Sequence, residues 1–402
     1  MPGESPHRPP PVAHELGDIV VPDSPGFSVR LVSSAAEFMA LRTQWNAVAG
    51  SVPSVSPFCS HEWFDAAWQW RQQTARLHLL CCFAGQRLAA VLPLVLQQNR
   101  TRGLPFRELA FLTVPDTQCC DLIAAEADRA AAVAAFAAEL QRRRGEWDVM
   151  RLNYLPPGAV AASALREALE SSGFAARMGA APGNPFIALD SPWDAYYAAR
   201  SRRLKKSNNL AANRLKKAGE VRVDWLAPEA GDRAGCDSFV DRAIAISASS
   251  WKTRTGNSLD NPGPGSFIRR LSEGALRRGW LSIWILSVNN RPLAMEYQLV
   301  AHGNVYGLRS DFDAEFEAIS PGTYLSRHLL SQLFGSGLRR YYMGPGNNAY
   351  KHRWTDQVEP VGALTVYGRS LAGRYLAAWE TTFKPMAAKL RDRLRGRVSS
   401  PE

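Results

Sequence analysis

The stretch LSIWILSVNNRPLAMEYQLVAHGNVYGLRSDFD, residues 281–313, reads as three strands joined by two tight turns. Runs rich in aliphatic, aromatic and β-branched residues (281–288, 293–301 and 304–311) are separated by Asn289-Asn290 and by His302-Gly303-Asn304, residue types that accept the backbone of hairpin turns. Strands joined this way are antiparallel. The second strand carries Glu296 and the third Arg309 and Asp311, and charges within a strand cost stability unless something partners them. This is where a site is expected.

Downstream, Ser320-Pro321-Gly322-Thr323 opens a helix over 321–334, and a strand over 339–343 runs into Gly344-Pro345-Gly346, with Tyr350-Lys351 beyond. A capping serine, a proline suited to the first helical turn and a glycine that admits a ligand to the backbone together suit an anion site at Ser320, Gly322 and Thr323. The GxxxxGK[ST] pattern of a P-loop is absent. If the second hairpin turns at Gly303-Asn304, Glu296 faces Asp311 and Gln298 faces Arg309. If it turns one residue earlier, Glu296 faces Arg309. Either register gathers Glu296, Arg309 and Asp311 on one face, where two carboxylates beside an arginine suit a general base or, alternatively, a structural ion network. Tyr350 is suited to protonating a leaving thiolate and Lys351 to holding a phosphate or carboxylate. Trp251 and Lys252, after Ser250, form a second aromatic and cationic pair.

Farther out, the chain alternates strands and helices in a mixed α/β (α+β) pattern, in two similar halves. Residues 1–25 are Pro-rich and aperiodic, which predicts a disordered leader. The first half spans 26–181. The second, 182–370, starts after a turn at Pro182-Gly183-Asn184-Pro185 and carries the expected site. Residues 371–402 read as a basic helix and tail. In each half a meander of strands is followed by a helix and a further strand.

The 402 residues, 46% hydrophobic, can bury a large core, and the net charge of +11 is concentrated. Nine Lys or Arg lie between Arg200 and Arg222 and six between Lys384 and Arg397. The first cluster sits on a helix predicted over 201–218 and suits RNA phosphates or plain solvation; the second suits acidic lipid or a solvated terminal helix. A DNA partner is not expected. No run reaches the length of a membrane span and the N-terminus is not signal-like, so a cytoplasmic location is expected. The six cysteines lack metal-ligand spacing and read as free thiols, and no metal is expected.

Several of these motifs together resemble the CelD-like branch of the GNAT acetyltransferase superfamily, a cellulose biosynthesis-associated group related to the FemAB peptidyltransferases. They include Pro57-Phe58-Cys59-Ser60-His61-Glu62-Trp63, Ala90-Val91-Leu92-Pro93-Leu94, Arg203-Leu204-Lys205-Lys206 and Leu215-Lys216-Lys217-Ala218-Gly219. Ser250-Trp251-Lys252, Ala294-Met295-Glu296-Tyr297, the run 311–322 and the run 344–351 complete the set. The resemblance implies two tandem GNAT-like halves, each a mixed, mostly antiparallel sheet flanked by helices. It also implies an acyl-CoA such as acetyl-CoA as co-substrate, held at 320–323, and a small-molecule or glycan amine as acceptor. The superfamily's Arg/Gln-x-x-Gly-x-Gly/Ala pattern is missing, and the FemAB kinship adds aminoacyl-tRNA as an alternative donor. A catalytically inactive binding module of a polysaccharide synthesis complex is a third reading.

Overall fold

Both predicted turns form as two-residue hairpins. Val288 pairs with Arg291 across Asn289 and Asn290, at φ 50° and 65°, and Ala301 pairs with Asn304 across His302 and Gly303, at φ 51° and 74°. Two successive positive φ angles give the turn whose twist matches the strands it joins.

The structure, a computed structural model, describes residues 26–52, 55–228, 233–383 and 386. The predicted leader, and the basic tail beyond Phe383 apart from Met386, lie outside the described residues. The first strands are β1 (Phe27–Val32), β2 (Arg76–Leu77), β3 (Leu79–Ala84) and β4 (Arg87–Leu92). They continue with β5 (Leu94–Thr101), β6 (Leu104–Phe111), β7 (Ile123–Ala124) and β8 (Val149–Leu155). Helices α1 (Ala35–Ala40), α2 (Arg42–Gly50), α3 (His61–Arg71), α4 (Arg129–Arg142) and α5 (Arg166–Ser171) cover them. Strand β9 (Ala175–Ala188) leads to α6 (Trp193–Ala198), α7 (Arg202–Ala218) and β10 (Val221–Leu226). Helices α8 (Arg233–Ala248) and α9 (Pro262–Arg277) precede β11 (Leu281–Val288), β12 (Arg291–Ala301) and β13 (Asn304–Phe312). Then come α10 (Pro321–Leu333), β14 (Arg340–Tyr342), α11 (Ala349–His352), β15 (Val358–Tyr367) and α12 (Leu371–Ala378).

The fold is mixed α/β, its sheets mostly antiparallel and flanked by helices. Eleven strands form one sheet in the order β10-β11-β12-β13-β14-β9-β15-β8-β6-β5-β2, and β1-β3-β4-β7 form a second. The two halves repeat one plan. An antiparallel pair, β5 with β6 or β12 with β13, is followed by a helix, α4 or α10, and then by a strand parallel to the second member of the pair, β8 or β14.

The halves are fused by exchange. Strand β9, arriving from the first half, pairs with β14, while β15, arriving from the second, pairs with β8. This corrects the expected turn at Pro182-Gly183-Asn184-Pro185, which lies inside β9. Both prolines are tolerated because β14 reaches only residues 186–188 of β9 and the ladder to β15 shifts register beside them. Most buried apolar side chains form one core shared by α3, α9 and strands of both halves, including Trp63, Phe267, Tyr297 and Tyr306. A second core under α10 collects Trp284, Leu329, Leu330 and Tyr341. Cys59, Cys81, Cys82, Cys119 and Cys120 are free thiols. Among the described residues no helix is long and apolar enough to cross a membrane.

Candidate active site

Strand β13 pairs with β14 only over Asn304–Tyr306 and residues 340–342. It then continues six residues to Phe312 while β14 stops at Tyr342 and the chain turns away through Gly344, at φ 80°. At about 3.3 Å per residue the strands diverge along roughly 20 Å of β13 whose outer edge has no strand partner among the described residues. A cavity of about 410 Å³ fills this opening. Its walls include Gly307 and Ser310 of β13, Gly322, Thr323 and Ser326 of α10, and Gly344, Tyr350 and Lys351 from the chain after β14. Trp251, Lys252, Leu204 and Arg353 line it as well.

A β-bulge decides which strand charges reach this space. Tyr297 lies opposite Arg309 but Gln298 lies opposite Gly307, so Leu308 is an extra residue and every later side chain of β13 changes face. Glu296 therefore pairs with Ser310, not with Arg309 or Asp311. The expected shared face is corrected: Glu296 points toward α10, while Arg309 and Asp311 point toward the other side of the sheet, where α8 packs.

Glu296 is buried in a small recess of about 40 Å³ lined also by Ser326, Tyr341, Tyr350 and Trp354, several of which line the main cavity too. That is room for at least one water molecule. The Tyr341 hydroxyl donates to its carboxylate. Burial pushes the Glu296 carboxyl above its ordinary value, while hydrogen bonds from Tyr341, Ser310 and Gln298 pull it back. Tyr350 keeps 39% of its surface exposed, yet desolvation raises its phenol, with Glu296 and Asp311 adding to the rise, so the hydroxyl stays protonated at neutral pH.

Gly307 makes the Glu296 arrangement possible. A Cβ there would stand 2.9 Å from the Tyr341 hydroxyl and 3.0 Å from Glu296 Oε1. Gly307→Ala is expected to push the pair apart at a cost of about 1–3 kcal/mol. Chemical denaturation reads the stability loss, and the acidic limb of the rate profile reads the displaced carboxylate.

On the opposite face, Arg309 is almost fully buried. Its Nε and Nη2 donate to Asp116 at 2.9 and 2.7 Å, and its Nη1 and Nη2 donate to the carbonyl and side chain of Asn257 at 2.7 and 3.1 Å. Asp311 ion-pairs with Lys252 and accepts from Ser247 Oγ at 2.8 Å. Burial pushes the Asp116 carboxyl up, against the pull of Arg309 and Lys252. The four side chains alternate in charge, so Arg309 and Asp311 brace the strand from behind while Lys252 shows its flank to the cavity.

Lys351 is buried and donates from Nζ to the carbonyls of Gly344 (2.6 Å) and Pro345 (3.2 Å), which leaves one N–H to face a ligand. Desolvation lowers its pKa to about 8, with Glu296 opposing and Lys252 reinforcing the fall. Ser320 behaves differently from expectation. It precedes α10 in a left-handed conformation, φ 56° and ψ 52°, and its side chain makes no capping bond. Only Gly322 and Thr323 of the predicted loop line the cavity, because the left-handed kink carries Ser320 away from it.

The first half contributes residues that sequence reasoning missed. Asp116 holds Arg309, and Gln118 donates from Nε2 to the Gly307 carbonyl at 2.9 Å while accepting from Asn184 at 3.1 Å. The contacts to Arg309 and Gly307 join residues 193 and 189 positions apart, with no local signal. The bulge did leave one: a glycine inside a strand marks such a site.

Residues 202–352 match the family described as acetyltransferase (GNAT) domain. No curated protein matches the chain. Among solved structures the chain is similar to FemX, at 12% identity over 80% of this chain and 95% of that one, with a TM-score of 0.50. It is similar also to the C-terminal DUF2156 domain of a candidate lysylphosphatidylglycerol synthetase from Agrobacterium fabrum, at 12% identity over 86% and 95%, with a TM-score of 0.51. At such identities the likeness is one of fold.

Proposed function

We propose that the chain, an acyltransferase by its GNAT domain, moves an acyl group from an acyl-CoA thioester such as acetyl-CoA to an amine acceptor in the opening between β13 and β14. The observation that carries this reading is the divergence of two parallel strands over a cavity with a buried carboxylate on one wall and a protonated phenol beside it. The unpaired edge of β13 offers main-chain groups to an extended donor arm. The first amide of α10, at Gly322, and the spare N–H of Lys351 suit its phosphates.

The reaction needs no covalent enzyme intermediate. The acceptor nitrogen attacks the thioester carbonyl carbon, the carbon–sulfur bond breaks, Glu296 takes the ammonium proton through a water in the recess, and Tyr350 returns a proton to the departing thiolate. Proton transfers of this kind are worth about 10²–10⁴-fold in rate. Arg309 and Asp311 are positioning residues, and Lys252 and Trp251 form the acceptor side of the cavity. The CelD-like resemblance points the acceptor toward an amino sugar of a cellulose-like or envelope polysaccharide, handled in the cytoplasm.

Lys351 supplies a pH test. Its folded pKa lies near 8, below the ordinary 10.5, so the charge that would hold an anionic donor is present below about pH 8 and lost above it. The donor KM is expected to rise above pH 8 in the natural protein and to stay level in Lys351→Arg, whose guanidinium remains charged. A level KM in both would remove Lys351 from donor binding.

One observation favours aminoacyl-tRNA as donor instead. Helix α7 presents exposed Arg202, Arg203, Lys206 and Lys216, and its Leu204 lines the cavity, so a polyanion on α7 would lie beside the site. Salt-sensitive tRNA binding without acetyl-CoA binding would establish that donor over the thioester.

A further inference from the structure

We infer that α12 and the turn after it form a docking surface for an anionic phospholipid bilayer. Leu371, Tyr375, Trp379 and Phe383 recur every four residues, which lays them along one side of the helical path from Leu371 to Phe383. Leu371 is 85% exposed, and Tyr375, Phe383 and Met386 are exposed as well. The opposite side is the structural one: Leu376, with Ala372 and Ala377, packs on Phe106, Val149 and Tyr367. A helix held by its inner face leaves the outer stripe available, and an exposed apolar stripe of this length marks a contact surface.

Charge selects the occupant. The tip of the β5–β6 hairpin lies against α12 and carries exposed Arg100 and Arg102, with the Arg102 guanidinium 3.7 Å over the Trp379 ring. Arg374 is exposed on the helix itself. The one acid between Leu371 and Phe383, Glu380, is turned inward, where Arg151 at 2.5 Å and Tyr367 at 2.8 Å neutralise it. The sequence continues with six Lys or Arg against a single Asp between Lys384 and Arg397. An apolar stripe flanked by Arg102 and Arg374, with tryptophan and tyrosine along it, is the composition that settles at an acidic lipid headgroup layer.

Co-sedimentation of the full chain with phosphatidylglycerol-containing vesicles and with pure phosphatidylcholine vesicles tests this at about 0.1 M salt. Binding is expected to the anionic vesicles only. Leu371→Asp with Tyr375→Asp should weaken it about tenfold or more. Arg102→Gln with Arg374→Gln should weaken it about 25-fold, roughly fivefold per charge. All four positions are exposed, and an unchanged far-ultraviolet spectrum with unchanged cavity binding of acetyl-CoA shows that the fold survives. No binding to anionic vesicles, or binding indifferent to the Leu371 and Tyr375 changes, would overturn the inference. So would a dimer in solution that the same changes dissociate, because a second copy would then cover the stripe.

Discussion

Glu296→Gln is expected to lower kcat by about 10²–10⁴-fold while leaving the donor KM close to unchanged. The amide keeps the size of the carboxylate and can still meet the Tyr341 hydroxyl, but it cannot accept the ammonium proton. The pH profile separates this from a packing defect. Burial raises the Glu296 pKa above its ordinary value, so activity climbs as pH rises through that raised pKa, and the climb disappears in the variant. Stability moves the opposite way. A carboxyl whose folded pKa is raised stabilises the fold below its unfolded pKa and loses that contribution as pH rises through the folded one. Above that raised pKa the ionised Glu296 is thus a burden that glutamine lifts. A variant as stable as the natural protein, or more so, and far slower is the expected pairing; full turnover would remove Glu296 from the chemistry.

Arg309→Ala has the largest expected effect on stability, a loss of about 3–5 kcal/mol. The loss comes less from the attraction removed than from what remains, a buried Asp116 carboxylate with its main cation gone and an Asn257 carbonyl without its 2.7 Å donor. Because Asp116 comes from the first half and Arg309 from the second, denaturation should report weakened association of the halves as well as of the strand. Replacing both partners with apolar residues, Arg309→Met with Asp116→Leu, should recover part of the loss, since no unpaired charge is then left inside. A single replacement that costs under about 1 kcal/mol would show that the clamp is not what braces β13.

The sequence carried the local rules well. Strand 281–288 and the two turns follow directly from residue type, and Pro321 starts α10 as its fixed φ requires. What it concealed arises from contacts across the sheet. One extra residue, Leu308, reverses the face of Arg309 and Asp311, and alternation counted through a strand cannot register a residue that belongs to neither face. The Ser320 loop was legible as a helix start but not as a left-handed kink, because serine seldom adopts that conformation. The Pro182 to Pro185 segment looked like a turn because proline ends most strands; it continues here because its neighbours do not need the missing donors.

Fusion through β9 and β15 explains why the first half belongs to the site. Asp116 and Gln118, in the segment after β6, reach the bulge and Asn184 of β9 holds Gln118, so the carbonyl of Gly307 and the guanidinium of Arg309 are held by residues of the first half. A bulge alone could relax into a regular ladder and turn Arg309 toward the cavity. Pinned on the Gly307 side by Gln118 and on the Arg309 side by Asp116, it keeps Glu296 alone on the α10 face.

The most direct test of an acyl-CoA site between the diverging strands is titration calorimetry of acetyl-CoA into the natural protein and into Ser326→Trp. Ser326 lines both the main cavity and the Glu296 recess, and an indole there would fill the space where the strands part. One saturable site in the natural protein and none in the correctly folded variant is the predicted result. Absence of binding to the natural protein, or equal affinity in the two, would contradict it.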